Sequence, residues 1–417
     1  MPPDEATGAT TAVAPPHGSD LAGDCPLAPG DFPSASAPAR QIDAAVAQTV
    51  EGRLEELLTR RVSQATAVNA IFGADIAQRV ARFTLGGGRR IRPQFLWWGL
   101  RACGLPSNDQ IEAALQLSAA LELIQTCALI HDDVMDQAPT RRSQPALHVD
   151  CAAQYAPPAP SSGSRFGESS AILAGDLALA WADDEASALH LPGWHAGRVR
   201  DAWSRMRTEM VAGQYLDIHG EITQSRSLSQ AISAACLKTA LYTVERPIQL
   251  GAILGNADEK QLRALCSAGR GAGLAFQLRD DLNDVFVDSA RRDKPAGGDL
   301  RAGKTTYLVA LAYARAEADG DRHALRILDH SLGGPGLTGA DLDDVRQVLV
   351  RTGARRIVEE KIRRLIARST RHLNTAPLDP VARARLHALM HQAAGTPMPP
   401  DEPVGGLPTA AIQGAAQ

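Results

Sequence analysis

Apolar residues recur along this chain at helical spacing. Between positions 47 and 62, Val50, Leu54, Leu57, Leu58 and Val62 fall on one face of an α-helix. Leu105 to Gln110 (LPSNDQ) breaks the chain and carries an N-cap signal, and the apolar segment Ile111–Ile130 behind it predicts a long buried helix. Capping boxes are predicted at Ser227–Gln230 and Thr338–Asp341, each ahead of a helical run. Positions 156–164 (APPAPSSGS) predict an exposed loop. No stretch alternates as a strand would, and no repeat is present. The pattern predicts an all-α protein: one large helical domain over residues 42–394, with Pro- and Ala-rich ends at 1–41 and 395–417. Those ends hold almost no large aliphatic residues, a composition that predicts disorder.

Composition sharpens this picture in three places. Aromatic residues make up only 4% of the 417 positions, which favours helices packed through Ala, Leu and Val over a sandwich or barrel. Of 26 prolines, 8 lie in residues 1–40 and 5 in 395–417, leaving the interior Pro-poor, as long helices require. Lys and Arg number 43 against 47 Asp and Glu, a net charge of −4, so overall charge makes no case for nucleic acid or an anionic membrane. The six cysteines, Cys25, Cys103, Cys127, Cys151, Cys236 and Cys266, form no CxxC pair and predict reduced thiols in a cytoplasmic protein. The first residues lack the basic and apolar regions of a signal peptide, and no uninterrupted apolar stretch predicts a membrane span.

The chemistry concentrates in two aspartate clusters. In LIHDDVMD (129–136), Asp132 and Asp136 stand four apart at the end of an apolar helix, so both carboxylates project from one face beside Asp133. Carboxylates this close shift toward protonation unless cations neutralise them. Mg²⁺ suits them best, since it takes one or two carboxylates, waters and phosphate oxygens. The spacing alone also fits a solvated helix face. A second copy, Asp280, Asp281 and Asp284, follows another apolar run, and two such helices can face each other across a bundle and hold metal between them.

Basic residues point to a phosphorylated partner. GGGRRIRP (86–93) sets three glycines before Arg89, Arg90 and Arg92, where backbone can approach an anion and guanidinium forks can grip it. Arg141 and Arg142 lie just beyond Asp136, while Lys238-Thr239, Lys294 and Lys304-Thr305-Thr306 add further cations and hydroxyls. Each pair alone fits solvated surface; their company with two aspartate motifs argues for a site.

The ordered set GGxRxRP, DDxxD…RR, KT, FQxxDDxxD and K…GxD…GK resembles the trans-isoprenyl diphosphate synthases of the polyprenyl synthetase family, over residues 45–390. The resemblance implies the isoprenoid synthase fold, a bundle of mostly antiparallel helices around a deep central cavity, usually as a homodimer. It implies head-to-tail condensation of isopentenyl diphosphate with an allylic diphosphate, served by a cluster of about three Mg²⁺ ions bound with the substrate diphosphate. By position, Asp132, Asp136, Asp280 and Asp284 would bind metal, with Asp133 and Asp281 in support. Arg141, Lys238, Thr239 and Gln277 would be the catalytic residues and, with Lys294, would hold or orient the allylic diphosphate; Arg89, Arg92, Gln125 and Arg142 would hold the isopentenyl diphosphate, and Lys304 would also bind substrate. Arg89 replaces the usual Lys, Gln125 stands where many members have His, and Ser143 where Gly is usual. In this family, bulk just before the first motif limits product length; Cys127 and Ala128 are small and imply a geranylgeranyl or longer product.

Several residues invite misreading. His131 is expected in the core or supporting the site, Asp183-Asp184-Glu185 on a solvated face, Asp176 in a structural role, and Trp97 and Trp98 in the core. Rival functions are a class I terpene cyclase, a head-to-head prenyl synthase, a non-catalytic regulatory subunit and a di-metal carboxylate bundle. The second DDxxD argues against the cyclase, the intact pair of motifs against the subunit, and the lack of paired ExxH ligands against the bundle.

Overall fold

Ser107 caps the long apolar run as its sequence predicts. Its hydroxyl accepts from the Gln110 amide while the Gln110 side chain returns to the Ser107 backbone, and a 28-residue helix follows to Met135. The structure, a computed structural model, describes residues 37–154, 160–287, 296–333 and 336–398. All of them belong to one packed unit.

In chain order the helices are α1 (Ala37–Ala44), α2 (Val46–Val68), α3 (Ala70–Phe72), α4 (Gln78–Leu85), α5 (Ile91–Arg101), α6 (Asn108–Met135), α7 (Leu147–Gln154), α8 (Pro160–Ser187) and α9 (Gly193–Ile222). There follow α10 (Leu228–Ala235), α11 (Arg246–Leu254), α12 (Glu259–Phe286), α13 (Gly298–Arg301), α14 (Tyr307–Ala318), α15 (Arg322–Ser331), α16 (Gly339–Arg351), α17 (Ala354–Leu373) and α18 (Pro380–Ala393). Two π-helical segments interrupt the series, Gly73–Ala77 and Cys236–Glu245. The strands β1 (Thr140–Arg141) and β2 (Gln144–Pro145) form one small antiparallel hairpin. A continuous apolar core runs from Ala39 on α1 to Ala394 beyond α18.

Helix α6 is apolar on most of its circumference because α5, α8 and α11 surround it. It is long and apolar enough to cross a membrane, but 72% of its most apolar window is buried inside the protein. The π-helical segment Cys236–Glu245 is wedged between α9 and α12. A Cβ at Gly213 on α9 would collide with the Lys238 backbone nitrogen, and one at Gly273 on α12 with the Ala240 carbonyl. Both positions need glycine for close approach.

Several expectations shift. Residues 37–41, assigned by composition to the N-terminal end, open α1, while 1–36 and 399–417 lie outside the described residues. Of the loop expected at 156–164, positions 160–164 are already helix and 156–159 lie outside the described residues. The Thr338 box forms in full. At Ser227 only half forms, because the Gln230 side chain instead meets Ser225 and His219. Of Asp183, Asp184 and Glu185, only Asp184 is on a solvated face. Glu185 is buried against Arg61 at 3.0 Å, Arg61 also reaches Asp184, and Asp183 accepts from Trp203 at 2.7 Å. Trp97 and Trp98 are core residues, and Trp97 donates to Asp43.

Candidate active site

Helix α6 ends at the first aspartate cluster, and the chain then turns back through the β1–β2 hairpin. That hairpin aims Arg141 at the helix end. Its Nε donates to both oxygens of buried Asp133, at 2.8 and 3.0 Å, and its Nη2 to Asp132 at 3.2 Å. The two turn residues, Arg142 and Ser143, have φ of 52° and 58°. A two-residue hairpin turn of this kind needs positive φ at both positions, which explains why glycine is the usual neighbour of the arginine pair.

Opposite α6, α9 and the adjoining π-helical segment supply the countercharges. Lys238 Nζ lies 3.1 Å from Asp132 and 2.7 Å from Asp217, a residue of α9. Gln214, one turn earlier on α9, donates to Asp132 at 3.3 Å. Lys304, beyond α13, reaches Asp136 at 2.6 Å and Asp217 at 3.5 Å. Burial alone would raise the Asp132 pKa, but Lys238, Lys304 and Arg141 outweigh it and hold the carboxyl well below its usual range. Burial likewise opposes the charge on Lys238 and Lys304, and the facing carboxylates more than compensate, raising both.

The second cluster, on α12, has a different setting. Asp281 is buried and accepts from Gln277 at 2.7 Å. Burial, then the nearby Asp299 charge, pushes its pKa well above the carboxylate range. Asp299, at α13, is pushed up to about 7 by burial and by Asp284. Asp284 is buried and accepts from the Asp299 amide at 3.1 Å, so it braces backbone.

Both clusters meet at a cavity of about 600 Å³. Its wall brings together Arg92, Gln125, Cys127, Ala128, Asp132, Asp136, Arg141, Lys238, Thr239, Gln277, Asp280 and Lys304 from the sequence-predicted set. Arg89, Arg142 and Asp284 are not in that wall. Arg89 is exposed, and Arg142 sits beside the glycine turn, its Nη2 being 3.3 Å from where a Gly88 Cβ would lie. Lys294 lies outside the described residues. Arg90 turns inward to Glu122 at 2.7 Å and is structural.

Sequence reasoning missed Gln214, Asp217 and Tyr242, and gave no role to Asp299 of the GxD motif; all four also line the cavity. A weak signal existed: Gln214 and Asp217, three apart, share a helix face. His131 also reaches the wall. It meets the Ile172 carbonyl at 3.1 Å and Cys127 Sγ at 3.7 Å, and only a glycine at 175 leaves room for its ring. Gly175 makes room for the ring, and Asp176, though exposed, lies 3.8 Å from His131 Nε2.

The wall is unfinished as a hydrogen-bonding surface. Among the described residues, Arg92 Nε, Gln125 Oε1 and Thr305 Oγ1 are buried there without partners. Buried polar atoms in a cationic wall suit a polar, anionic ligand. The donors toward a metal are carboxylate oxygens, and no three such side chains among the described residues converge tightly enough to hold an ion alone. Carboxylate oxygens are the ligand type Mg²⁺ takes, its shell completed by water and phosphate oxygens.

Comparison with known proteins agrees with this geometry. A family model described as polyprenyl synthetase matches residues 74–332. A geranylgeranyl pyrophosphate synthase from Corynebacterium glutamicum, solved with isoprenyl diphosphate and magnesium, is 36% identical and superposes with a TM-score of 0.77 over 83% of this chain and 97% of that one. The geranylfarnesyl diphosphate synthase of Aeropyrum pernix is 30% identical across 70% of this chain and 84% of its own length. A short chain isoprenyl diphosphate synthase of Methanocaldococcus jannaschii is 32% identical across 58% of this chain and 67% of its own length. The chain spans about two thirds of the length of several curated relatives it matches, 64% and 66% in two of them. With its all-α isoprenoid synthase fold, the chain belongs to the polyprenyl synthetase family, the trans-isoprenyl diphosphate synthases, which are prenyltransferases.

Proposed function

We propose that the chain condenses isopentenyl diphosphate head-to-tail with an allylic diphosphate (dimethylallyl, geranyl or farnesyl) to give geranylgeranyl diphosphate or a longer trans-polyprenyl diphosphate. One observation carries this reading: a single cavity is lined both by charged groups from two aspartate helices and by the small residues Cys127 and Ala128 of α6. Cys127 lies five residues, about 7 Å, along α6 from Asp132.

Asp132 and Asp136 on α6 and Asp280 on α12 are the residues to hold Mg²⁺, in a cluster of about three ions. Bound there with substrate, Mg²⁺ would neutralise the leaving diphosphate so that the allylic C–O bond can ionise. Asp284 would act through the Asp299 amide it holds. Lys238 and Lys304 must turn from Asp132 and Asp136 toward the allylic diphosphate, joined by Arg141. Thr239 and Gln277 offer a hydroxyl and an amide to orient it. Arg92 has a buried Nε–H to spare for isopentenyl diphosphate, Gln125 would reach it through its amide N–H, and Arg89 and Arg142 stand near the glycine turn. Lys294 keeps its expected role on the allylic side.

A homodimer is the proposed assembly, supported by Phe166, Ile172 and Leu173 on α8, which are 41%, 47% and 59% exposed. The five described cysteines are free thiols, which supports the cytoplasm. Residues 1–36 and 399–417 carry none of the motifs and are assigned outside the catalytic domain, whose core begins at Ala39.

The deciding experiment incubates the chain with isopentenyl diphosphate, Mg²⁺ and each primer in turn, then chromatographs the dephosphorylated products. Failure to elongate any primer would defeat the reading. With activity in hand, Cys127→Phe should shorten the product, and an unchanged product distribution would remove Cys127 from the tunnel wall.

A further inference from the structure

Charge is distributed unevenly along the chain. Residues 345–398 carry 11 Lys and Arg against 3 Asp and Glu, whereas the remainder carries 32 against 44. Helix α17 alone has seven of those bases and two acids, Glu359 and Glu360. Its Val358, Ile362, Ile366 and Leu373 are buried. At about 100° per residue, Arg356, Arg363, Arg364, Arg368 and Arg371 share the opposite face within an arc of roughly 140°. All five are exposed. The side chains of Arg363 and Arg364 are 60% and 78% accessible.

Little of this charge is cancelled locally. Glu360 accepts from both Arg363 and Arg364, at 2.7 and 2.8 Å, so one acid serves two arginines. Glu359 is taken by Arg355 at 3.0 Å. Among the described residues, no carboxylate pairs with Arg356, Arg368 or Arg371. A near-neutral total therefore conceals a basic stripe about 22 Å long, from Arg356 to Arg371, on a well-packed helix.

We infer that this face of α17 is a docking surface for the phosphates of an anionic lipid bilayer. A straight row of guanidiniums can lie flat on a plane of headgroups, and each fork matches a phosphate. Each cation held near an anionic leaflet strengthens partitioning by about fivefold. Two other occupants fit less well. Single-stranded nucleic acid binds through aromatic platforms beside its cations, and the stripe contains no Phe, Tyr or Trp. Residues 1–36 bring five acids, Asp4, Glu5, Asp20, Asp24 and Asp31, and no Lys or Arg. Their uneven separations do not match arginines that recur every turn or so. The inference stands on charge and geometry alone and does not depend on the reaction proposed above.

Co-sedimentation of the full chain with vesicles tests it. Binding is expected to phosphatidylcholine vesicles containing phosphatidylglycerol, to weaken steeply between low salt and about 0.5 M NaCl, and to be absent without phosphatidylglycerol. Arg356→Gln/Arg363→Gln/Arg364→Gln/Arg371→Gln should lower the partition constant by more than about a hundredfold while the circular dichroism stays unchanged. If that variant misfolds, Arg364→Gln/Arg371→Gln should still lower it by about twentyfold. No binding to anionic vesicles, or undiminished binding by the variants, would overturn the proposal. So would tight binding to single-stranded RNA without vesicle binding. Vesicle binding that emerges only after the five N-terminal acids are changed to Asn and Gln would assign the stripe to that segment instead.

Discussion

Asp132–Asp136 and Asp280–Asp284 share one spacing, yet their surroundings differ in sign. The first cluster ends α6 and is met by Lys238, Lys304 and Arg141, so Asp132 is held ionised by the protein itself. The second lies on α12 among other carboxylates, where Asp281 and Asp299 are pushed toward protonation by burial and by each other's neighbours. A sequence motif records which side chains share a helix face. It does not record whether the facing helix brings cations or more acid. The first cluster is ready as an anion before any ligand arrives, whereas the second gains most from an incoming cation.

The largest effect that can break this contrast is loss of either cluster. Asp132→Ala and Asp280→Ala should each lower turnover by about a thousandfold, measured as isopentenyl diphosphate incorporation. Their effects on the Mg²⁺-free protein should diverge. Asp132→Ala deprives Lys238 and Arg141 of a partner and should cost about 1–3 kcal/mol in denaturant unfolding. Asp280→Ala removes one of the charges raising Asp281 and should make the fall in stability with rising pH shallower, which Asp132→Ala should not. Equal pH slopes in the two variants would show that the clusters are not electrostatically different.

A pH series sharpens the same point. Asp299 has a folded-state pKa near 7 against an ordinary 3.8. Above 3.8 the unfolded chain releases this proton while the native chain retains it, so stability falls as pH rises from about 4 to about 7 and then levels off. Asp132, depressed below 3.8, works the other way: its contribution is complete above that value and is lost as pH falls through its folded pKa. Asp299→Asn should therefore flatten the decline in melting temperature between pH 5 and about 7.5 without removing it, since Asp281 contributes in the same direction. An unchanged slope would show that Asp299 is not the group responsible.

What could be read from the chain follows from the range of each signal. Helical periodicity and the Ser107 cap are local, and they yield α6 and its place in the core. The two aspartate pairs are local too, each four apart on one helix. Their partners are not. Asp217 lies 21 residues before Lys238 and 87 before Lys304 in sequence, and only the packing of α9 against the π-helical segment brings these three together. That packing rests on Gly213 and Gly273, which resemble any other glycine in a helical pattern. Asp284 continues the motif's spacing, and its hydrogen bond from the Asp299 amide is a contact that depends on where α13 starts. Arg89 and Arg142 similarly carry the expected charge and stand beside the glycine turn, outside the cavity wall.

The smallest expected effect concerns how the first cluster is held. Arg141 is aimed by a two-residue turn whose residues, Arg142 and Ser143, both have positive φ. A non-glycine residue in that conformation costs about 1–2 kcal/mol, and a glycine avoids the cost while losing some of the gain to its freer unfolded chain. Ser143→Gly should raise stability by about 0.5–1 kcal/mol, seen as a higher melting temperature, with turnover unchanged because Arg141 keeps its hold on Asp133. Ser143→Val should do the reverse, since a β-branched side chain resists positive φ. The second cluster offers no equivalent gain. Among the described residues there, Val287 ends helix α12 with φ of −98°, a conformation that any residue adopts without turn strain. A lower melting temperature for Ser143→Gly would mean that the Ser143 side chain contributes more than its backbone costs, and that the hairpin is held by contacts other than its turn.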